Sequence, residues 1–197
     1  MSKKLLLIYM LLVMVILSAC TGGGFKEDHN YKVAPFEFTN QQNEQVSLDD
    51  LKGKVWIAQF VFTECTSACP PMMMNMAELD NQLGDEGVDD YKIVSFSIDP
   101  AVDTPEAMQE YVDMYDVRDQ SRWEMLTGYK QEEITDFAAK SFKTLVADIP
   151  DSDQVMHAVT FSLVNQQGEV VKSYNGMTEV PFDQIVKDIK ALNKAGA

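Results

Sequence analysis

Hydrophobic residues fall into two kinds of run along this chain, and their alternation predicts the architecture. Val55 to Phe62 (Val-Trp-Ile-Ala-Gln-Phe-Val-Phe) is almost continuously apolar. Such a run reads as a strand buried on both faces, as in a parallel or mixed sheet. Tyr91 to Ile98 is a second run of this kind, and Trp123 to Leu126 a short third. Between the first two, Pro70-Pro71 can open a helix, since proline is tolerated in the first turn. Met72 to Leu83 then continues with helical composition and no breaker before Gly84. Thr104 is placed to cap a second helix, with Pro105 at its first position and an end near Tyr115. Gln131 to Ser141 predicts a third, with Ile134, Phe137 and Ala138 on one face. Val155 to Val164 and Glu169 to Tyr174 flank Asn165-Gln166-Gln167-Gly168, a hairpin signal. Val180 to Leu192 predicts a terminal helix with Phe182, Ile185, Val186 and Ile189 on one side. The order strand, helix, strand, helix, then helix, hairpin and helix implies a three-layer α/β domain.

The first residues belong to a different kind of segment. Lys3 and Lys4 precede an apolar stretch from Leu5 to Leu17. It is shorter than the ~20 residues a membrane-spanning helix needs. Its length and flanks are those of an export signal over residues 1–19. It ends in Leu17-Ser18-Ala19-Cys20-Thr21, which looks like a bacterial lipoprotein processing site with Cys20 as the lipidated residue. Acyl chains on Cys20 would hold the protein to a membrane without a spanning helix. Gly22-Gly23-Gly24 and the polar stretch to Tyr31 make residues 20–31 a short tether. His29 in that stretch reads as a solvated side chain. Residues 32–194 then suit one domain, large enough to bury its own core.

The full chain carries a formal charge of −15, and removal of the signal takes away two lysines and no acids. That excludes the basic footprint that nucleic acid requires. It equally disfavours electrostatic adhesion to anionic lipid. An acidic solubilising surface or a basic protein partner is compatible with it.

The chain has three cysteines. With Cys20 set aside for lipid, Cys65 and Cys69 remain for chemistry. They lie in Phe62-Thr63-Glu64-Cys65-Thr66-Ser67-Ala68-Cys69-Pro70-Pro71, where the first strand delivers them to the start of the first helix. If both were helical, their Cα atoms would lie about 6 Å apart, within disulfide range. A helix N-terminus also favours thiolate over thiol. The position therefore supports a dithiolate metal site or a redox couple, and an exported protein can hold the disulfide form. A purely structural disulfide or two inert buried thiols is the plainer alternative. His157, in Gln154-Val155-Met156-His157-Ala158-Val159, is the only histidine within the predicted domain. A strand histidine is often just a hydrogen-bonded structural residue. Two sulfurs and an imidazole nonetheless suit copper, whereas structural zinc usually takes four protein ligands. Met72, Met73, Met74 and Met76 come directly after; thioethers bind Cu(I), but methionine is also adaptable core filler. Asp99 and Asp103, near the end of the second strand, can orient the site or simply cap the turn and the helix.

Taken together, these residues resemble the Sco/SenC-like family of membrane-tethered, copper-binding assembly factors of cytochrome c oxidase. The matching elements are Gly53-Lys54-Val55-Trp56, Phe60-Val61-Phe62-Thr63 leading to Cys65-x3-Cys69-Pro70, Ser97-Ile98-Asp99-Pro100 with Asp103-Thr104-Pro105, and His157 before Phe161-Ser162-Leu163. The resemblance covers nearly all of the chain after the signal. It implies a thioredoxin-like three-layer fold with a central mixed sheet, and one copper ion per domain held by Cys65, Cys69 and His157. It further implies a monomer anchored by lipid at the outer face of the bacterial cytoplasmic membrane, with cytochrome c oxidase subunit II as partner. Gln59 departs from the pattern, standing where similar proteins often carry an acidic residue, and the methionine run is heavier than expected.

Three functions compete on this reading. A copper-binding assembly factor would pass its ion to the oxidase subunit without catalytic turnover. A thiol-disulfide oxidoreductase would use Cys65 and Cys69 to keep the subunit's own cysteines reduced by thiolate attack through a mixed disulfide. Its spacing, C-x3-C, differs from the C-x-x-C of ordinary thioredoxin-like redox proteins. A peroxiredoxin-like peroxidase is disfavoured, because Phe62 occupies the position three before the reactive cysteine where such enzymes usually carry threonine, and Thr63 lies two before.

Overall fold

The computed structural model describes residues 25–148, 155–156 and 158–196. Their main sheet has six strands: β1 (Tyr31–Lys32), β4 (Trp56–Val61), β5 (Lys92–Ser97), β6 (Trp123–Leu126), β9 (Thr160–Val164) and β10 (Glu169–Asn175). The strand order is β1-β10-β9-β4-β5-β6. β4, β5 and β6 run parallel, while β9 lies antiparallel to β4, β10 to β9 and β1 to β10. This is a mixed sheet, as the apolar runs imply. Every residue of β4 is buried, which is why its sequence shows no polar alternation.

The helices are α1 (Leu48–Leu51), α2 (Cys69–Asp85), α3 (Pro105–Asp113), α4 (Gln131–Phe137) and α5 (Phe182–Gly196). α2 covers one face of the sheet. There Gln59 of β4 donates to Ser95 of β5 at 2.9 Å and to the sulfur of Met73 at 3.2 Å. Asp80 of α2, fully buried, accepts from the indole of Trp123 on β6 at 3.2 Å, from the Arg118 amide at 2.9 Å and from the Tyr91 hydroxyl. α5 packs beside α2, and Lys190 meets Glu86 at 2.6 Å. The opposite face is aromatic. Phe60 stacks on Phe96 at 5.4 Å, and Phe137 and Phe142 from α4 and its continuation close over Phe96 at 5.1 and 5.8 Å.

Element boundaries reflect local chemistry. Thr104 caps α3, its hydroxyl accepting from the Ala107 amide at 3.2 Å, with Pro105 next. In the β9–β10 hairpin, Gly168 takes φ +77°, a left-handed conformation that costs glycine little. Asn165 closes that turn by accepting the Gln167 and Glu169 amides through its side chain.

The structure differs from the sequence expectation in four places. The segment expected as one strand from Val155 to Val164 is interrupted. Val155–Met156 forms β8, paired with β7 (Ala147–Asp148) in a separate two-stranded ribbon, and only Thr160–Val164 joins the main sheet. The helix expected from Gln131 to Ser141 widens after Phe137 into a π-helical turn, Ala138–Phe142, which ends at Lys143 with φ +56°. A second ribbon, β2 (Glu37–Thr39) with β3 (Gln45–Ser47), precedes α1 and has no counterpart among the expected elements. Finally, the end of the stretch read as a tether lies against β10: the Asp28 amide donates to the Val171 carbonyl at 3.0 Å, and Phe25 packs on the core.

Candidate functional site

The site forms where β4 ends and α2 begins. β4 delivers the chain to Phe62, and the Cys65 amide returns to the Phe62 carbonyl at 3.3 Å, closing a turn over Phe62-Thr63-Glu64-Cys65. Only Cys69 is helical; Cys65 sits in the connecting segment. The condition that both cysteines be helical is therefore not met. Instead, the segment curls so that the Cys69 amide donates to the Cys65 sulfur at 3.2 Å. Both sulfurs are thiols here. Cys69 is fully buried and Cys65 nearly so, beneath an exposed rim of Glu64, Thr66 and Ser67.

The two thiols are inequivalent. Burial raises the pKa of Cys65, but hydrogen bonds outweigh it: the Cys69 thiol and the amides of Cys69, Ser67 and Ala68 point at its sulfur, and the net shift is downward. These are orphan amides at the start of α2, the groups a helix offers to an anion. Cys69 moves the other way. Burial is its main cause, followed by its role as donor to Cys65, and the charges of Cys65 and Asp103 add to it against a hydrogen bond from the Phe62 backbone. One thiol is thus prepared to ionise first, and the other to hold its proton and donate it toward the first. Two soft donors so placed can bind a thiophilic metal or close on each other as a disulfide.

Around the pair stand groups from three other segments. Asp103, almost fully buried, accepts from the Thr63 amide at 3.1 Å and the Thr63 hydroxyl at 2.6 Å through one oxygen, and from the Ser97 hydroxyl at 2.6 Å through the other. Burial raises its pKa, against the lowering effect of the Ser97 and Thr63 bonds. Asp99 is less buried; its amide donates to Ser97 Oγ at 3.1 Å, and its carbonyl accepts from the Asp103 amide at 2.9 Å. Tyr111 and Tyr115 at the end of α3 meet edge to face at 5.4 Å. Burial chiefly raises both of their pKa values, and the charges of Cys69 and Cys65 contribute in the same direction.

The methionine run divides. Met72, Met73 and Met76 are fully buried and belong to the core, while Met74 is 64% exposed. Gln59 is buried beneath α2. His29, away in sequence from the pair, stacks on Tyr31 at 4.6 Å and meets Ser173 at 3.2 Å. His157 and Cys20 lie outside the described residues, as does the segment expected to be the export signal. Among the described residues no three His, Cys, Asp or Glu side chains converge as a metal site, and no helix is long and apolar enough to cross a membrane. The part that sequence reasoning missed is the grip of Asp103 on Thr63. The two residues are 40 apart, and no periodicity links them.

Known proteins resemble this chain in sequence and fold. Residues 26–194 match the family model described as SCO1/SenC. A SCO1/SenC family lipoprotein from Bacillus anthracis is 42% identical, with a TM-score of 0.79 over 83% of this chain and 95% of that one. BsSco, a member of the Sco family of cytochrome c oxidase assembly proteins in which a disulfide switch was identified, is 43% identical, with a TM-score of 0.79 over 86% and 97%. Arabidopsis thaliana ScoI, solved with copper bound, is 25% identical, with a TM-score of 0.68 over 82% and 98%.

Proposed function

The chain belongs to the SCO1/SenC family, and from that premise we propose that it is a copper-binding assembly factor for the copper centre of cytochrome c oxidase subunit II. The observation that carries this reading is the pair itself: two thiols at one strand–helix junction, with the Cys69 amide 3.2 Å from the Cys65 sulfur. Thiolate sulfur is a soft donor that suits Cu(I), and an imidazole adds a donor that also accepts Cu(II). The pair fits a soft ion, because the amides of Ser67, Ala68 and Cys69 already favour the Cys65 thiolate. Cys65, Cys69 and His157 would hold one copper ion. The ion is cargo, so the protein needs to release it as well as bind it. The copper bound by Arabidopsis thaliana ScoI supports this assignment, as does the assembly role of BsSco.

The same proposal covers the rest of the chain. Residues 1–19 are an export signal, Cys20 carries lipid, the stretch from Cys20 to Phe25 tethers, and the chain from there to residue 194, including the segment laid against β10, forms a single monomeric domain at the outer face of the bacterial cytoplasmic membrane. The likeness to a SCO1/SenC family lipoprotein supports the lipid anchor.

A second reading rests on one observation, the Cys69 amide donating to the Cys65 sulfur at 3.2 Å, which sets the two thiols apart. A thiol-disulfide oxidoreductase needs an attacking thiolate and a second thiol to resolve the mixed disulfide. The experiment is a titration of the reduced protein with Cu(I) and Cu(II), alongside exchange with a model disulfide. One tightly bound copper, lost in Cys65→Ser and in Cys69→Ser, supports the assembly factor. Weak copper binding with exchange faster than a model thiol assigns the oxidoreductase role instead.

A further inference from the structure

A carboxylate from the segment after β5 grips the turn that presents Cys65. Phe62-Thr63-Glu64-Cys65 is closed by the hydrogen bond from the Cys65 amide to the Phe62 carbonyl. Thr63 is the second residue of that turn, and both of its donors, the amide and the hydroxyl, end on the same oxygen of Asp103, at 3.1 and 2.6 Å. Asp103 is itself fixed at every polar atom. Its other carboxylate oxygen takes the Ser97 hydroxyl at 2.6 Å, its amide donates to the Asp99 carbonyl at 2.9 Å, and its carbonyl accepts from Thr127 Oγ1 at 2.6 Å. Thr127 exchanges backbone hydrogen bonds with Thr39 at 2.8 and 3.0 Å. A line of hydrogen bonds thus runs from the end of β6, through Asp103, to the cysteine turn.

A carboxylate that is 1% exposed is costly to bury unless it is fully hydrogen-bonded. An apolar residue would fill the space at lower cost, but it would not fix the amide and hydroxyl of one particular residue. Two bonds to one residue restrict both its backbone and its side chain, and the chain reaches Cys65 two residues later. We infer that Asp103 is a positioning residue, whose grip on Thr63 sets the path of the Phe62–Cys65 turn and thereby the placement of the Cys65 sulfur against Cys69. The inference rests on Cys65 and Cys69 being the working pair, and it holds whether their task is to bind copper or to exchange disulfides.

The test is a double-mutant cycle on the full chain with Asp103→Ala, Thr63→Val and both together. The readout is the equilibrium constant for closing the Cys65–Cys69 disulfide against dithiothreitol. In that exchange, the protein's two thiols pass two hydrogens and two electrons to oxidised dithiothreitol, forming one protein S–S bond and two small-molecule thiols. Disulfide closure demands a narrow sulfur geometry, so the constant reports placement and not overall stability. Asp103→Ala should shift it by about tenfold, which is ~30 mV for a two-electron couple. Thr63→Val, which removes the hydroxyl bond and keeps the amide bond, should shift it in the same direction by less, and the double variant should add little to Asp103→Ala, which already breaks both bonds. Asp103→Asn, which keeps an acceptor oxygen for Thr63, should leave the constant close to that of the wild type. Where Asp103→Ala does not fold, the half-buried and nearly isosteric Thr63→Val decides alone. A wild-type constant in folded Asp103→Ala or in Thr63→Val overturns the inference, as do fully additive effects. Failure of the copper reading is a separate result, seen in the wild type as an absent thiolate-to-copper band.

Discussion

The backbone amide of Cys69 donates to the sulfur of Cys65 at 3.2 Å, across the junction of a strand and a helix. This contact makes a chemical pair of two residues that would otherwise be neighbouring core thiols. It also makes them unequal, since the sulfur receiving amides is the one prepared for negative charge.

The inequality is measurable as a rate. In the reduced protein, alkylation by iodoacetamide should occur first at Cys65, with a pH midpoint below the ordinary thiol value of 9.0. Cys69 should react only at higher pH, because burial first, and its bond to Cys65 second, keep it protonated. Stability should depend on pH for the same reason. An unfolded chain releases the Cys69 proton as pH passes 9.0 while the folded chain retains it, so the reduced protein loses stability above that pH. Cys69→Ala should remove that part of the decline, and the buried tyrosines should contribute more above pH 10. Equal alkylation rates for the two thiols, read by peptide mass mapping, would contradict this.

The methionines make a paired prediction. Met72 is fully buried, so Met72→Ala should cost about 2–5 kcal/mol in denaturant unfolding. Met74 is 64% exposed, so Met74→Ala should stay within about 0.5 kcal/mol. Copper stoichiometry should be unchanged in both. A copper equivalent lost on removing Met74 would show that the run binds metal as well as packing the core.

Asp80 should matter for stability and not for the site. Asp80→Ala leaves the Trp123 indole and the Arg118 amide without their carboxylate acceptor, and the Tyr91 hydroxyl with only the backbone carbonyl of residue 80, at 3.3 Å. A buried donor left unpaired, as the Trp123 indole would be, costs about 1–3 kcal/mol, so a fall in thermal midpoint is expected. The folded variant should keep the copper stoichiometry of the wild type.

The sequence was most legible where a single physical pressure acts. β4 reads directly from its apolar run, because full burial removes polar alternation, and α2 from Pro70-Pro71 and the unbroken helical stretch after them. The break between β8 and β9 was not legible. Val155, Met156, Ala158 and Val159 are as apolar as the stretch from Thr160 to Val164, and only the change of partner, from β4 and β10 to β7, separates the two strands. β1 to β3 span two or three residues each, too short to show a period of two. At the site, the cysteines were legible from their spacing and context. The turn that places Cys65 outside the helix was not, since the bond from Thr63 to Asp103 is a tertiary contact between two polar residues.

The lipid anchor is tested at Cys20. Cys20→Ser should abolish incorporation of labelled fatty acid and leave the protein unprocessed or released from the membrane fraction. Continued labelling in that variant would place the lipid on another residue, and no labelling of the wild type would mean that there is no lipid anchor.

The most direct test of the central claim compares the reduced protein with its His157→Ala form during copper titration, following the thiolate-to-copper absorption band. One tightly bound copper is expected in the wild type, and in His157→Ala a weaker complex with a displaced band. Identical affinity and spectrum in the two proteins, or simple oxidation to the Cys65–Cys69 disulfide with no band, would contradict it.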